Sequence, residues 1–178
     1  MRQSGISLLE LVVVLAVTAI LLTIGIPSFV SFANNSRLTT ATNELLASLY
    51  LARGEAIKRN SRAVACASAT GTSCAANGGW EQGWMVFHDL NNNAAPDPGE
   101  PIIQVRQRLA DGLVLTGSFS GAKYVSYSPT GATKLLSGAF QAGTLTLCHV
   151  SAPEMSRQII INITGRPRIA KKALAACV

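Results

Sequence analysis

Near its amino terminus the chain reads Met1-Arg-Gln-Ser-Gly5-Ile6-Ser-Leu-Leu-Glu10, followed directly by Leu11-Val-Val-Val-Leu-Ala-Val-Thr-Ala-Ile-Leu-Leu22. About 20 apolar residues are enough for a helix to cross a bilayer. Glu10 interrupts this segment, and an acid inside a membrane costs roughly a few kcal/mol even on mild insertion scales. We therefore expect the carboxylate to have a function, namely pairing with a positive charge on a neighbouring subunit. This predicts a subunit of a filament that is drawn from a membrane.

Two simpler explanations of the segment fit less well. A cleaved secretory signal needs a small-residue cleavage site after its apolar core, and none follows Leu22, where the chain continues Thr-Ile-Gly-Ile-Pro-Ser-Phe. A plain membrane anchor fits the length but leaves Glu10 unexplained.

The residues Gly5-Ile6-Ser7-Leu8-Leu9-Glu10-Leu11 resemble the cleavage and assembly motif of type IV pilins and type II secretion pseudopilins. The resemblance implies that a prepilin peptidase cuts after Gly5, that Ile6 becomes the N-methylated first residue, and that Glu10 acts in assembly. Pro27 falls where the family has a helix-kinking proline. The family usually has Phe at the first mature position, whereas this chain has Ile6.

This resemblance implies an α+β protein with the type IV pilin fold, in which a long helix packs on an antiparallel β head. The expected organisation is a leader peptide at residues 1–5, the helix at 6–60 with its transmembrane part at 6–27, and a globular β-rich head at 61–178. Before assembly the protein would cross the bacterial inner membrane once, and afterwards its head would lie in the periplasm or at the cell surface.

The composition suits an exported head better than a cytosolic enzyme. Charged residues make up 13% of the 178 residues, about half the usual share of roughly 25%. The formal net charge of +6 makes acidic partners such as nucleic acid or anionic lipid physically plausible. No nucleophile-elbow, metal-helix or phosphate-loop motif occurs, so we predict neither an enzyme nor a cofactor.

Periodicity indicates that the helix continues beyond the apolar segment and that strands follow it. After Pro27, apolar residues up to Tyr50 recur at three- and four-residue steps, as in an amphipathic helix. Beyond Asn60 the pattern changes to short alternating runs separated by turn residues, which predicts an antiparallel head of two packed sheets. The predicted strands are 63–66, 83–87, 102–105, 112–115, 123–127, 143–148 and 157–163. We expect Trp80, Trp84 and Phe87 to fill the core.

Several stretches of the head resemble the GspH/FimT branch of the pilin family. They are Leu49–Asn60, Trp80–Phe87, Asp97–Glu100 and Gly165–Arg168. This branch includes minor pilins of type IV pili and the minor pseudopilin of type II secretion. The resemblance implies a minor pilin of the FimT/FimU type, which is not an enzyme and is placed with other major and minor pilins at the filament tip. The alternative is a minor pseudopilin of type II secretion with a purely structural role.

The carboxy-terminal part of the head is rich in cations. After Glu154 the chain carries Arg157, Arg166, Arg168, Lys171 and Lys172 without an intervening acid. Pro167 favours an extended conformation for the residue before it, and residues two apart in extended chain point the same way. Arg166 and Arg168 would thus form a two-pronged cationic edge suited to phosphates, with Gly165 allowing a turn or a close approach.

The Gly-Arg-x-Arg sequence at this place resembles the DNA-binding motif of FimT proteins that serve natural transformation. The resemblance implies that Gly165, Arg166 and Arg168 bind double-stranded DNA, with Lys171 and Lys172 extending the patch. Such binding would be independent of base sequence and sensitive to salt. No aromatic residue lies near the cluster in sequence, which argues against a dedicated single-strand platform. A solvated polar tail is the alternative explanation.

Four cysteines suit an oxidising compartment. They are Cys66, Cys74, Cys148 and Cys177, and the sequence leaves all three possible pairings open. Their spacing is not that of a zinc site. The stretch Asp89–Glu100 places oxygen side chains as an EF-hand loop does, but Ala94 stands where the turn glycine belongs. We therefore expect a hairpin loop rather than a calcium site.

Overall fold

A computed structural model describes residues 7–77, 79–118 and 123–177 of the chain. Gly5 and Ile6, the predicted processing residues, lie outside the described residues. The chain divides into two compact units, Met1–Ser36 and Arg37–Val178. A single helix, α1 (Leu8–Lys58), contributes to both units.

The part of α1 in the first unit is apolar and open to its surroundings. Residues 7–32 are all exposed, and Glu10, in the first turn, is their one charged member. Thr18 and Thr23 each donate their hydroxyl to a carbonyl of the preceding helical turn at 2.7 Å, so these hydroxyls are satisfied within the helix. Among the described residues, α1 is the one helix whose length and composition would allow it to cross a membrane.

Pro27 lies inside α1 and does not end it. Because proline has no N–H, the Thr23 carbonyl lacks the donor that it would otherwise meet four residues later. The helix continues for 31 further residues in sequence to Lys58, as the sequence pattern predicts.

In the second unit, one face of α1 is buried. Leu38, Leu45, Leu49, Ala52 and Ala56 are completely inaccessible to solvent. Their spacing of three, four and seven residues places them on a single face of the helix. This face is the helical contribution to the core of the head.

A hydrogen-bonded cap ends α1 and leads the chain into the first strand. Asn60 adopts a left-handed conformation with φ 51°, which asparagine tolerates better than most residues. Its N–H donates to the Ile57 carbonyl at 3.3 Å, and the Ser61 N–H donates to the Ala56 carbonyl at 3.2 Å. This pair of bonds is a Schellman motif, which satisfies carbonyls that the helix end would otherwise leave unpaired.

The described residues after α1 form two antiparallel four-stranded sheets. Sheet A has the order β3-β2-β1-β5 and sheet B the order β4-β6-β7-β8. The strands are β1 (Arg62–Ala67), β2 (Trp84–Asp89), β3 (Ile102–Arg106), β4 (Leu113–Gly117), β5 (Tyr124–Tyr127), β6 (Gly143–His149), β7 (Ala152–Ile161) and β8 (Arg168–Lys171). A short 3-10 helix, Trp80–Gln82, precedes β2.

One hydrophobic core joins the buried face of α1 to both sheets. Sheet A contributes Ala63 and Ala65, and sheet B contributes Leu145 and Ile159. Trp80, Trp84 and Phe87 are buried, as predicted. The indole N–H of Trp84 donates to the Ser48 hydroxyl of α1 at 2.9 Å, so the buried ring keeps a polar partner. A smaller cluster on the other face of sheet A packs Val64, Cys66, Met85 and Phe87 together.

The α+β class is confirmed, and each of the seven predicted strands is present. Strand β7 begins at Ala152, five residues before the predicted start at Arg157. Pro153 and Glu154 interrupt the apolar alternation there, and proline is tolerated because it lies next to the strand's first residue. Strand β8 was not predicted, since Arg-Ile-Ala-Lys is short and carries a cation at each end.

All four cysteines form disulfides. Cys66 pairs with Cys74 and Cys148 with Cys177. The first bridge closes the loop after β1, while the second ties the segment after β8 to β6.

A polar cluster connects the end of α1 to β2. The Glu55 carboxylate lies 2.9 Å from Nε of Arg59, 3.5 Å from Nζ of Lys58 and 3.5 Å from Nε2 of the buried His88. Nδ1 of His88 lies 3.2 Å from the Ser61 hydroxyl. Partial burial raises the pKa of Glu55, but the hydrogen bonds from His88 and Arg59 and the charges of Lys58 and Arg59 outweigh it, so the pKa is lower than usual.

The two disulfides should differ in their contribution to stability. Replacing Cys148 and Cys177 together by serine should cost about 3–4 kcal/mol, and replacing Cys66 and Cys74 should cost about 2–3 kcal/mol, because the longer loop restricts the unfolded chain more. The sequence separations are 29 and 8 residues. Urea unfolding of the full chain in nonionic detergent, monitored by tryptophan fluorescence, measures both values. A larger loss for the Cys66–Cys74 variant would contradict this.

Glu55 should make the head less stable in acid. Since its pKa is lower in the folded than in the unfolded state, its contribution is present above the unfolded value of roughly 4.5 and is lost as the pH falls through the folded value. In thermal unfolding between pH 3 and 7, Glu55→Gln should lose less stability on acidification than the unmodified chain. The exposed Glu154, changed to Gln, is the control and should leave the profile unchanged.

Candidate functional site

The predicted basic cluster lies on the outermost strand of sheet B and on the loop before it. Arg168 and Lys171 belong to β8, whereas Gly165 and Arg166 belong to the β7–β8 loop, residues 162–167. Lys172 follows the strand, with its N–H donating to the Ser156 carbonyl at 3.3 Å. The cluster is therefore mounted on hydrogen-bonded backbone at a sheet edge.

Asn162 organises the β7–β8 loop. Its side-chain oxygen accepts from the Thr164 hydroxyl at 2.7 Å and from the Arg166 N–H at 3.2 Å, while its carbonyl accepts from the Gly165 N–H at 2.9 Å. The Thr133 hydroxyl, from the β5–β6 connection, lies 2.8 Å from the same carbonyl oxygen. These contacts fix the backbone immediately before the first arginine.

Gly165 is required by its backbone conformation and by its surroundings. Its φ is +74°, and a Cβ at this position would overlap the carbonyl oxygen of Gly131. Residues other than glycine rarely adopt this conformation. The two glycines thus bring the β5–β6 connection and the β7–β8 loop into direct backbone contact.

Helix α1 anchors both of these segments from a distant part of the sequence. The Tyr50 hydroxyl donates to the Pro167 carbonyl at 2.9 Å, and Nε of Arg53 donates to the Gly131 carbonyl at 3.0 Å. Tyr50 and Arg53 are not among the residues that the sequence predicts for the site. Their separation of three residues places them on one helix face, but nothing in the local pattern indicates which loop they meet.

Tyr127 lies behind this pair on β5. It is buried, and its hydroxyl has no hydrogen-bond partner among the described residues. Burial raises the pKa of Tyr127, against the opposing charge of Arg53 and with a smaller upward contribution from Tyr50. Tyr127 therefore remains a neutral phenol at physiological pH, and the positive charge of Arg53 is not cancelled by a tyrosinate.

The cations of the cluster do not all share one face. Pro167 is buried between exposed Arg166 and Arg168, which is the alternation predicted for extended chain. In the register of β7 and β8, Arg168 lies opposite Ile160 whereas Lys171 lies opposite Arg157. Side chains alternate along a strand, so Lys171 is on the other face of β8 from Arg168.

These cations are available to an external anion. Within residues 7–77, 79–118 and 123–177, the ion pairs join Glu55 to Lys58, Arg59 and His88, and Asp111 to Arg108. Arg166, Arg168, Lys171 and Lys172 are all exposed and take part in none of them. Arg2 and Glu10 are the charged residues before Arg37, so the whole positive excess belongs to residues 37–178.

The Asp89–Glu100 loop uses its carboxylates to hold its own backbone. Asp89 accepts from the N–H groups of Asn93 and Ala94 at 2.9 and 3.0 Å, and Glu100 accepts from the N–H groups of Leu90 and Asp97 at 2.6 and 3.0 Å. No group of three or more His, Cys, Asp or Glu side chains suited to a metal occurs in the described part of the chain. The loop geometry is that of a self-capped hairpin connection.

The arrangement suits electrostatic and hydrogen-bonding contact rather than bond-making chemistry. Arg166 on the loop and Arg168 at the start of β8 are exposed on either side of the buried Pro167, and the loop is held by α1 and by the β5–β6 connection. Arginine presents a planar fork of donors that matches phosphate oxygens. The two exposed arginines thus form a cationic edge beside anchored backbone.

Two family models match the chain. The first, described as Type II transport protein GspH, matches residues 41–165, and the second, described as a prokaryotic N-terminal methylation motif, matches residues 1–26. Arg166 and Arg168 thus lie just beyond the end of the first match. No curated protein sequence matches the chain.

The fold is similar to solved structures of type IV minor pilins and pseudopilins. The minor pilin FimU of Pseudomonas aeruginosa has a TM-score of 0.62 at 19% identity, over 83% of this chain and 99% of that one. The minor pseudopilin EpsH of Vibrio cholerae has a TM-score of 0.50 at 13% identity, over 76% and 97% of the two chains. The predicted type IV pilin fold is confirmed.

Gly165→Ala should destabilise the head more than Gly138→Ala. Both glycines have positive φ, +74° and +84°, but space is open around Gly138. The control therefore carries the backbone cost of roughly 1 kcal/mol alone, while Gly165→Ala adds the overlap with Gly131 and should exceed it by about 1 kcal/mol or more. Urea unfolding of the full chain in nonionic detergent measures the difference. Equal losses would show that the loops separate without cost.

Proposed function

Since this chain belongs to the GspH family of pilin-like filament subunits and carries the prokaryotic N-terminal methylation motif, we propose that it is a minor pilin of a type IV pilus that binds DNA for uptake in natural transformation. Members of this family are structural proteins rather than enzymes, and they associate with other pilins in a filament. The observation that carries the DNA-binding part is the exposed Arg166–Arg168 pair, at the junction of an anchored loop and β8.

The amino-terminal segment would serve membrane insertion and assembly. In this proposal the prepilin peptidase cuts after Gly5, and residues 6–27 hold the protein in the inner membrane until it is assembled. Glu10 then pairs with the amine of a neighbouring subunit, which offsets the cost of an acid in an apolar environment. The exposure of residues 7–32, with one charge among them, supports this role. A position at the filament tip would place the head at the cell surface.

Arg166 and Arg168 would contact the phosphates of duplex DNA. Gly165 and Asn162 fix the backbone of the loop, so the ordering that binding requires is mainly that of the arginine side chains. Phosphate contacts carry no sequence information. The binding would therefore be independent of sequence and would weaken with salt. Lys172 would add charge nearby, while Lys171, on the other face of β8, would contribute less.

A second candidate is a minor pseudopilin of a type II secretion system. The description of the matching family model and the similarity to EpsH favour it. In this role the head would make contacts with other pseudopilins and would need no affinity for DNA. The two candidates share the fold and the processing motif, so DNA binding is the property that separates them.

Replacing both arginines should abolish most of the DNA affinity. The full chain in nonionic detergent is titrated against a duplex of mixed sequence at several salt concentrations, beside an Arg166→Ala, Arg168→Ala double variant. Losing two phosphate contacts should weaken binding about tenfold or more and reduce the slope of log K against log salt by about 2.

The matched control is the double variant Arg106→Ala, Arg108→Ala. It removes the same charge from two exposed arginines with the same Arg-x-Arg spacing, at the end of β3 in sheet A. Its affinity should stay within about twofold of the unmodified chain at physiological salt. An equal loss in both double variants would mean that net charge alone attracts DNA. Absence of binding by the unmodified chain would leave only a role in assembly.

A further inference from the structure

An aromatic side chain lies beside the arginine pair, although none is near it in sequence. Tyr50 donates its hydroxyl to the Pro167 carbonyl at 2.9 Å, and Pro167 is the residue between Arg166 and Arg168. Tyr50 is 46% exposed to solvent. Because the hydroxyl already has a partner, the surface that Tyr50 offers to a ligand is mainly that of its ring.

The contact between Tyr50 and Pro167 is flanked in sequence by arginines. Arg166 and Arg168 are exposed on the two sides of Pro167. Arg53 lies three residues from Tyr50 on the same helix face, and its Nε is held at 3.0 Å from the Gly131 carbonyl. An aromatic face among cations is the combination with which proteins bind single-stranded nucleic acid, since bases stack on the ring while the cations hold the backbone.

A closed duplex cannot use the Tyr50 ring, because its base faces are covered by stacking on one another. It offers phosphates alone, and these need only the arginines. A single strand, or a frayed duplex end, offers an unpaired base as well. The site as built therefore contains one component that duplex DNA leaves unused.

We infer that Tyr50 is a stacking surface for an unpaired base, and that this site binds single-stranded DNA or a strand end through Tyr50 together with Arg166 and Arg168. The inference rests on the proposed function, and it names the form of DNA that the site holds best. It replaces the expectation, drawn from the sequence around the cluster, that no aromatic platform is present.

The alternative role of Tyr50 is to anchor the loop through its hydroxyl and nothing more. Two substitutions distinguish these roles. Tyr50→Phe removes the hydrogen bond to Pro167 and keeps the ring, whereas Tyr50→Leu removes both. Phe140→Leu is the control for a general loss of exposed aromatic surface, because Phe140 is 61% exposed and also has a cation nearby, with Nζ of Lys134 at 5.9 Å from its ring.

The test compares two ligands that carry similar charge, an oligo-dT strand and an abasic strand of the same length. The full chain in nonionic detergent should bind oligo-dT about fivefold or more tightly than the abasic strand, because only the former has bases to stack. Tyr50→Leu should remove this difference. Tyr50→Phe and Phe140→Leu should preserve it. In every variant, the affinity for the abasic strand should depend on Arg166 and Arg168.

The outcomes separate the inference from the proposal beneath it. Equal affinity of the unmodified chain for oligo-dT and the abasic strand overturns the stacking role, even where both bind through the arginines. Loss of the difference in Tyr50→Phe as well as in Tyr50→Leu shows an anchoring role and also overturns it. If Phe140→Leu loses the difference in affinity and Tyr50→Leu keeps it, the assignment to Tyr50 is overturned. If no ligand binds at all, the DNA-binding proposal itself fails.

Discussion

The buried face of α1 is the surface on which the rest of the head depends. The two sheets do not share a strand, and they meet in one core to which Leu45, Leu49 and Ala52 of the helix contribute. The inner face of β1 offers alanines to this core, whereas β6 and β7 offer larger residues such as Leu145 and Ile159. Small side chains on one side and large ones on the other allow a dense interior. Without the helix, each sheet would expose one apolar face to solvent.

The same helix also explains why the cationic edge has a defined geometry. The same turns carry Tyr50 and Arg53 beside the buried face, and these side chains donate to backbone carbonyls of segments from different parts of the head. One segment follows β5 of sheet A, and the other connects β7 to β8 of sheet B. The site is therefore assembled from three elements that are remote in sequence. Since each polar contact ends on a main-chain atom, it constrains the loop path without depending on a particular loop side chain.

Periodicity and turn residues were sufficient to predict the helix, seven strands and the burial of the tryptophans, because these properties depend on neighbours in sequence. Strand β8 was missed because its pattern, a cation at each end of Ile169-Ala170, is as typical of a solvated loop as of a strand. The arginine pair could be proposed from the sequence because only Pro167 separates its two members. Tyr50 could not, because its contact with Pro167 spans 117 residues. The cysteine pairing likewise required the register of β6 and the path of the last residues.

The position of β8 at the edge of sheet B has a consequence for solubility. An edge strand presents unpaired N–H and C=O groups on which another chain can add a strand, and charged side chains are a common defence against this self-association. Arg168 and Lys171, one on each face of β8, provide such a defence whatever ligand the head binds. Neutral residues at these positions would therefore favour aggregation even in a head that binds no nucleic acid. A basic carboxy-terminal strand can accordingly persist in relatives that have taken up a different task.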